Sequence, residues 1–311
     1  MVSLKIIVPC YDEEKTLDIF YNEISTALNN LNNIHWSVLF INDGSKDNTL
    51  QIIKNLSINY ENIEYLSFSR NFGKESAIYA GLENSTEDYV LIMDADLQDP
   101  PHLIPEMLKN ASMGYDIVST RRVSRKGEPI VRSFFARVFN KLINLLSDVE
   151  IVDGARDYKL ITAEVKDSVL GLKEYNRFSK GIFQWIGFKN KWIEYENIER
   201  SAGETSWSFW SLFKYSISGI ISFTTAPLHV STIIGILFAI ISFILIVIIV
   251  IKTLLFGDPV DGWPSTISII LFVGGIQLFA IGILGQYISK IYLEVKNRPH
   301  YIIKEKNIDN K

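Results

Sequence analysis

The sequence has one cysteine, Cys10, and four histidines, His35, His102, His229 and His300, among 311 residues. A single thiol excludes an internal disulfide, which fits a reducing compartment. Cys10 lies in an apolar run and reads as a buried core thiol. No histidine pair has zinc-ligand spacing, so a zinc enzyme is not expected. Charge of either sign is also scarce in excess: 31 Lys and Arg face 35 Asp and Glu, a formal net charge of −4, which gives no global basic footprint for nucleic acid. Repeats and low-complexity segments are absent. The start, MVSLKIIVPCYDEE, is not expected to act as a signal peptide, because its apolar stretch is short and acids follow at once.

What the chain does have is apolar residues, 48% of the total, unevenly placed. Residues 1–200 read as a globular domain and the surplus follows residue 226. In the first part, short apolar runs alternate with helical patterns. Strands are predicted at Leu4–Pro9, Trp36–Asn42, Ile63–Ser67, Tyr89–Asp94 and Asp116–Ser119. Helices are predicted at Glu13–Leu31, Asp47–Leu56, Lys74–Ser85 and Leu103–Met113. This alternation predicts an α/β fold, a mostly parallel sheet with helices on both faces. Ligands bind such sheets beyond the carboxyl ends of the strands. The polar clusters Tyr11–Glu14, Asn42–Ser45, Ser69–Lys74 and Asp94–Asp99 are all expected there.

Val230–Ile251 and Thr266–Ser289 carry no charge, and each reaches the ~20 apolar residues that cross a bilayer. The link between them holds Asp258 and Asp261 and no basic residue, whereas Lys290, Lys296, Arg298, Lys304 and Lys306 follow. The positive-inside rule then places both chain ends in the cytoplasm. Gly274, Gly275, Gly282 and Gly285 allow close helix contact, with Gln277 as an interhelical hydrogen-bonder. Trp207–Phe223, rich in aromatics around Lys214, reads as an amphipathic segment in the membrane interface. The expected organisation is a cytoplasmic domain over 1–205, an interfacial segment over 206–226, two spans within 227–291 and a cytoplasmic tail over 292–311.

The strongest chemical signal is Asp94-Ala95-Asp96 at a strand end. Two carboxylates two residues apart can share a divalent ion with a diphosphate, as Mg²⁺ prefers, and the metal offsets charge on a departing nucleotide diphosphate. Asp43, after the strand VLFIN, can accept hydrogen bonds from a base or ribose; it can equally serve a helix N-cap turn. Tyr11-Asp12-Glu13-Glu14 has the same two readings. Arg122, Arg125, Lys126, Arg132, Arg177, Lys180 and Arg200 are candidate cations for an anionic acceptor, with solvated surface charge or lipid contact as the plainer alternative.

VPCYDEE, INDGSKDNT, SRNFGKESAIYAGL and DADLQDPPHLIP resemble the successive motifs of family 2 glycosyltransferases with the GT-A (Rossmann-like) fold. More narrowly, the chain resembles the polyprenyl-phosphate glycosyltransferases, the bactoprenol glucosyltransferase and dolichol-phosphate mannose synthase group. The likeness continues through ARDYKLI, RFSKGIFQWIGFK, RSAGET and GQYISKIYLEVKNRPHYII, nearly the whole chain. It implies inverting transfer of a hexose from a nucleotide-sugar to a polyprenyl (undecaprenyl) phosphate at the plasma membrane, with Mg²⁺ or Mn²⁺ as cofactor. Glucose from UDP-glucose leads; N-acetylglucosamine, galactose, mannose and aminoarabinose stay open, as does a homo-oligomer.

The resemblance further implies a donor site of Pro9, Tyr11, Asp12, Glu14, Asp43, Lys74, Asp94, Ala95 and Asp96. Asp94, Asp96 and Gln98 would serve the metal, and Asp157 and Asp96 catalysis. Arg122, Arg132, Arg177, Lys180 and Arg200 would bind the acceptor phosphate. Three positions depart from the family pattern: Asp12 where Asn is usual, Asn42 where Asp is common, and Ser206 where a lysine often stands. A processive polysaccharide synthase would need more spans and a Gln-x-x-Arg-Trp segment, which the sequence lacks. A nucleotide-binding scaffold without turnover fits poorly with an intact acid pair and Asp157.

Overall fold

The computed structural model describes all residues except 1, 30, 32, 124–151, 153, 197–220, 222–223, 257–261 and 309–311. The expected alternation is present. Strand β1 (Val2–Cys10) leads to helix α1 (Leu17–Leu28), β2 (Ile34–Asn42) to α2 (Thr49–Asn59), β3 (Ile63–Phe68) to α3 (Lys74–Glu83), and β4 (Tyr89–Ile92) to α4 (Ile104–Ser112). Then come β5 (Ile117–Arg122), β6 (Ala155–Thr162), α5 (Ala163–Gly171), α6 (Ser179–Trp185) and β7 (Asn190–Tyr195). Two long helices follow, α7 (Ala226–Phe256) and α8 (Trp263–Val295), and a last strand, β8 (Ile303–Lys306).

The eight strands form one sheet in the order β7-β5-β6-β4-β1-β2-β3-β8. The centre, β4-β1-β2-β3, is parallel as expected. The flanks make the sheet mixed: β6 runs antiparallel to β4 and β5, and β8 antiparallel to β3. Strand alternation sorts the core into two layers. Leu4, Ile6 and Val8 pack with Phe20 and Ile24 of α1 and with Ile104 and Met107 of α4. Ile7, Leu39 and Ile41 face Ala77 and Ile78 of α3, with Val165 and Ile182 of α5 and α6. Helix α3 lies close to β1 because Gly81 has no side chain; a Cβ there would stand 2.3 Å from the Ile7 side chain. Cys10 is buried within the first layer, and burial pushes its thiol well above the ordinary range.

Helices α7 and α8 are both long and apolar enough to cross a membrane. They form a hairpin. Tyr287 near the end of α8 donates to the Thr224 carbonyl just before α7 at 2.7 Å, and Phe238 and Phe272 meet further along with centroids 5.5 Å apart. The chain then returns to the sheet. Beyond α8, Tyr301 stacks on Phe68 at 4.9 Å, β8 extends the sheet past β3, and Lys54 pairs with Glu305 at 2.6 Å.

Candidate active site

Strands β1, β2, β3 and β4 are parallel and end at Cys10, Asn42, Phe68 and Ile92. The clusters that follow them therefore emerge on one edge, where an open α/β sheet binds ligands. Strand β6 enters the sheet from that edge. Ile92 pairs with Lys159 in antiparallel register, and continuing it by two residues sets Asp157 opposite Asp94.

Lys74, the first residue of α3, joins the two acids. Its Nζ lies 2.6 Å from Asp94 and 2.8 Å from Asp157. Burial opposes the Lys74 charge, but Asp157 and Asp94 outweigh it and hold the ammonium above the ordinary lysine range. Burial likewise opposes the Asp157 charge, and Lys74, Lys180 and Lys159 together hold its carboxyl well below the carboxylate range. Lys159 follows on the same face of β6, buried with its Nζ 4.1 Å over the Phe183 ring. Burial lowers it to about 8. Three lysines thus bear on the charge of one aspartate, Lys74 in direct contact. Behind Lys74, Glu75 takes hydrogen bonds from the Ser179 N–H at 3.0 Å and from its hydroxyl. Burial, with Asp157 nearby, raises the Glu75 carboxyl.

Asp43 does not cap a helix. Its two oxygens accept the Phe72 and Gly73 N–H groups at 2.6 and 2.9 Å, so it braces the loop that presents Lys74. Burial raises its pKa and these two bonds oppose the rise. Gly44 sits against this loop at φ +67°, and a Cβ there would stand 2.4 Å from the Arg70 backbone carbon. The Tyr11–Glu14 loop is laced to the one after β2. Lys46 N–H donates to Asp12 at 2.7 Å, and Asn48 donates to Glu14 at 3.0 and 3.1 Å. Asp12 has φ 54°, a left-handed conformation that Asp and Asn tolerate better than other side-chain-bearing residues. Pro9 is half-buried and Tyr11 exposed beside them.

In the acid motif Asp94 is half-buried, Ala95 and Asp96 are buried, and Leu97 adopts φ 57°. Asp96 accepts the Gln98 N–H at 3.1 Å. The motif is anchored from beneath by Asp99, which accepts Arg156 Nε and the Tyr195 hydroxyl, both at 3.0 Å. Arg156 also reaches Gln98 Oε1 at 3.5 Å. No group of three His, Cys, Asp or Glu suited to a metal exists among the described residues. Two neighbouring carboxylates are the kind of donor set that Mg²⁺ completes with substrate phosphates and water; here Asp94 also carries the Lys74 ammonium.

Of the candidate acceptor cations, Lys180 lies near Asp157 and acts on its charge. Arg122 ends β5 on the same edge, its N–H donating to Gly154 at 3.0 Å. Arg177 is committed elsewhere: it donates to the Leu172 and Val169 carbonyls and lies 4.7 Å over the Tyr79 ring. Arg125, Lys126, Arg132, Arg200 and, apart from residue 221, the segment Trp207–Phe223 lie outside the described residues. Sequence reasoning missed Lys159 and Arg156. Both lie in the ARDYKLI motif, and the period of two along a strand puts Lys159 on the Asp157 face.

Residues 5–169 match the family model described as Glycosyl transferase family 2. The chain belongs to glycosyl transferase family 2. The SfII prophage-derived bactoprenol glucosyl transferase of Shigella flexneri is 41% identical over 99% of this chain and 100% of its own. The prophage bactoprenol glucosyl transferase homolog of Escherichia coli K12 is 39% identical over 97% and 99%. Among solved structures, glucosyl-3-phosphoglycerate synthase from Mycobacterium tuberculosis with Mn²⁺, UDP-glucose and phosphoglyceric acid is 16% identical, with a TM-score of 0.48 over 71% of this chain and 78% of that one. That last likeness carries no functional argument. As a family 2 member the chain is a glycosyltransferase with a GT-A-like mixed sheet, and its acid-and-lysine edge is the candidate seat of transfer.

Proposed function

We propose that the protein transfers glucose from UDP-glucose to a polyprenyl phosphate, undecaprenyl phosphate in bacteria, with inversion at the anomeric carbon. The observation that carries this reading is the end-to-end similarity to bactoprenol glucosyl transferases, which takes in the two apolar helices as well as the catalytic domain.

In this reading Asp94 and Asp96, with Gln98 nearby, would hold a divalent ion. Such an ion supplies charge neutralisation for the leaving group. Pro9, Tyr11, Asp12 and Glu14 form the nucleoside side, and Asp43 keeps the neighbouring loop in place. A phosphate oxygen of the acceptor attacks the anomeric carbon. The bond from that carbon to the diphosphate oxygen breaks, and its electron pair leaves with UDP. A phosphate monoester is already anionic near neutrality, with a second pKa near ~6, and needs no general base. Asp157, paired with Lys74 at 2.8 Å, serves in this reading to position groups at the reacting edge. Lys74, Lys159 and Lys180 offset the anionic charge that two phosphate-bearing substrates bring together. Arg122, Arg132 and Arg200 remain proposed acceptor contacts.

The helix hairpin supports a membrane site for this chemistry. Thr224, at the entry to α7, and Tyr287, near the end of α8, are bonded to each other, and β8 then joins the sheet. Both ends of the hairpin thus lie on the catalytic side, which we take to be cytoplasmic. The apolar helix faces are exposed, Phe243 at 68% and Leu278 at 71%, as suits contact with lipid. The test is release of UDP from UDP-glucose by protein in nanodiscs, with and without undecaprenyl phosphate. Acceptor-dependent release supports the reading; release that ignores the acceptor overturns it.

A further inference from the structure

The last turn of α8 reaches back to the catalytic domain through one carboxylate. Glu294 accepts the Tyr175 N–H at 2.9 and 3.0 Å, the Asn176 N–H at 3.1 Å and the Asn176 side-chain amide at 3.2 Å. Two successive backbone N–H groups converging on an anion form a nest, and charged acceptors make the stronger hydrogen bonds. These residues belong to the loop that joins α5 to α6. The first residue of α6 is Ser179, which donates twice to Glu75, and Glu75 is next in sequence to Lys74. The loop makes a second contact with the chain beyond α8. His300, just past α8, lies 5.8 Å from the Tyr175 ring and 4.5 Å from that of Tyr79 in α3. The end of an apolar helix is therefore joined to the candidate active site by a short bonded path, Glu294 to residues 175–176, through the loop to Ser179, and on to Glu75.

We propose that Glu294 is a positioning residue for glycosyl transfer: from the end of the second apolar helix it fixes the loop before α6, and through Ser179 and Glu75 it sets the Lys74–Asp157 pair. The arrangement ties the geometry of the site to the helix hairpin. A change at Glu294 releases the loop, lets Ser179 leave Glu75 and turns Glu75 into an unpaired buried acid beside Asp157.

The proposal rests on the reading of Lys74 and Asp157 as site residues and is independent of the sugar and the lipid. The full-length protein in nanodiscs is compared with Glu294→Gln, Glu294→Asp, Ser179→Ala and the double variant Glu294→Gln/Ser179→Ala. Donor kcat and KM are measured, with calorimetric titration of UDP and a thermal melt for each. Wild-type turnover in the same preparation separates failure of this proposal from failure of the proposed function. The expected result is a kcat about tenfold lower for Glu294→Gln, in the range that loss of a hydrogen bond to a charged group produces, with KM and UDP affinity within about twofold of wild type. Glu294→Asp should be intermediate, and the double variant no slower than the slower single one. Wild-type kcat in folded Glu294→Gln, or fully additive losses in the double variant, would overturn the proposal. If Glu294→Gln does not fold, wild-type kcat in Glu294→Asp overturns it, and a lowered kcat with intact UDP binding supports it.

Discussion

The ammonium of Lys74 lies 2.8 Å from Asp157 Oδ2. The lysine comes from the helix after β3 and the aspartate from β6, elements 83 residues apart in sequence, so the contact exists only in the assembled sheet. Lys74→Met should lower transfer on the order of a hundredfold, because the positively charged partner of two acids is lost at the reacting edge. The stability cost should stay below the ~3–5 kcal/mol of a fully buried pair, since the Lys74 side chain is 37% exposed. Steady-state kinetics and a thermal melt check both. Wild-type turnover in Lys74→Met would remove the pair from the mechanism.

The pair should not govern the pH profile near neutrality. A depressed carboxyl contributes stability above the ordinary aspartate pKa of ~3.9 and loses it as pH falls through the folded value. A raised lysine contributes fully below ~10.4 and loses it as pH rises from there through its folded value. Lys159 is different. Its pKa is lowered to about 8, so between pH 8 and the ordinary lysine range the unfolded chain binds the extra proton. From this group alone, stability rises with pH across that window. If the Lys159 charge serves transfer, kcat/KM falls above a pH of about 8, and Lys159→Arg carries activity beyond that limit because a guanidinium stays charged. An identical alkaline limb in Lys159→Arg would assign it to another group.

Asp96→Asn should reduce transfer by a hundredfold or more, roughly the several kcal/mol that a metal contributes to a phosphoryl leaving group. EDTA should do the same to the native protein, reversibly on adding Mg²⁺ or Mn²⁺. Full activity in EDTA would exclude the metal.

Arg156 holds Asp99 beneath the acid motif. Arg156→Leu leaves a fully buried carboxylate that keeps, among the described residues, the Tyr195 hydroxyl as its side-chain donor, and should cost about 3–5 kcal/mol. A double change, Arg156→Leu with Asp99→Leu, should regain part of that loss, because neither charge is then stranded. Urea unfolding of the full chain reads both values.

The parallel centre of the fold was legible because VLFIN and LKIIVP are nearly continuous apolar runs, as strands covered on both faces must be. Strand β6 was not, since Arg156, Asp157 and Lys159 interrupt its pattern; they point to the site and its support, not to an apolar core. Strand β8, Ile303–Lys306, carries three charges in four residues and pairs with β3 some 240 residues earlier, for instance Leu66 with Lys306. A short charged edge strand has no periodicity to read. The acid motif announced itself at a strand end. That Asp43 braces a loop depended on the backbone of a segment about 30 residues on; that Arg177 bonds the Leu172 and Val169 carbonyls depended on the fold of its own loop.

Topology is open to cysteine labelling in a Cys10→Ala background. Cysteine at Ser265 should react with an impermeant reagent applied to intact cells, and cysteine at exposed Lys304 only after permeabilisation. The reverse pattern would place the acid edge away from cytosolic nucleotide-sugars.

Mass spectrometry of the lipid product decides which sugar, if any, the protein transfers. Purified protein in nanodiscs is supplied with undecaprenyl phosphate, Mg²⁺ and, in separate reactions, UDP-glucose, UDP-galactose, UDP-N-acetylglucosamine and GDP-mannose. One new lipid is expected, undecaprenyl phosphate plus one hexose, formed from UDP-glucose. No lipid-linked hexose from any donor, or a product from another donor in preference to UDP-glucose, would contradict it.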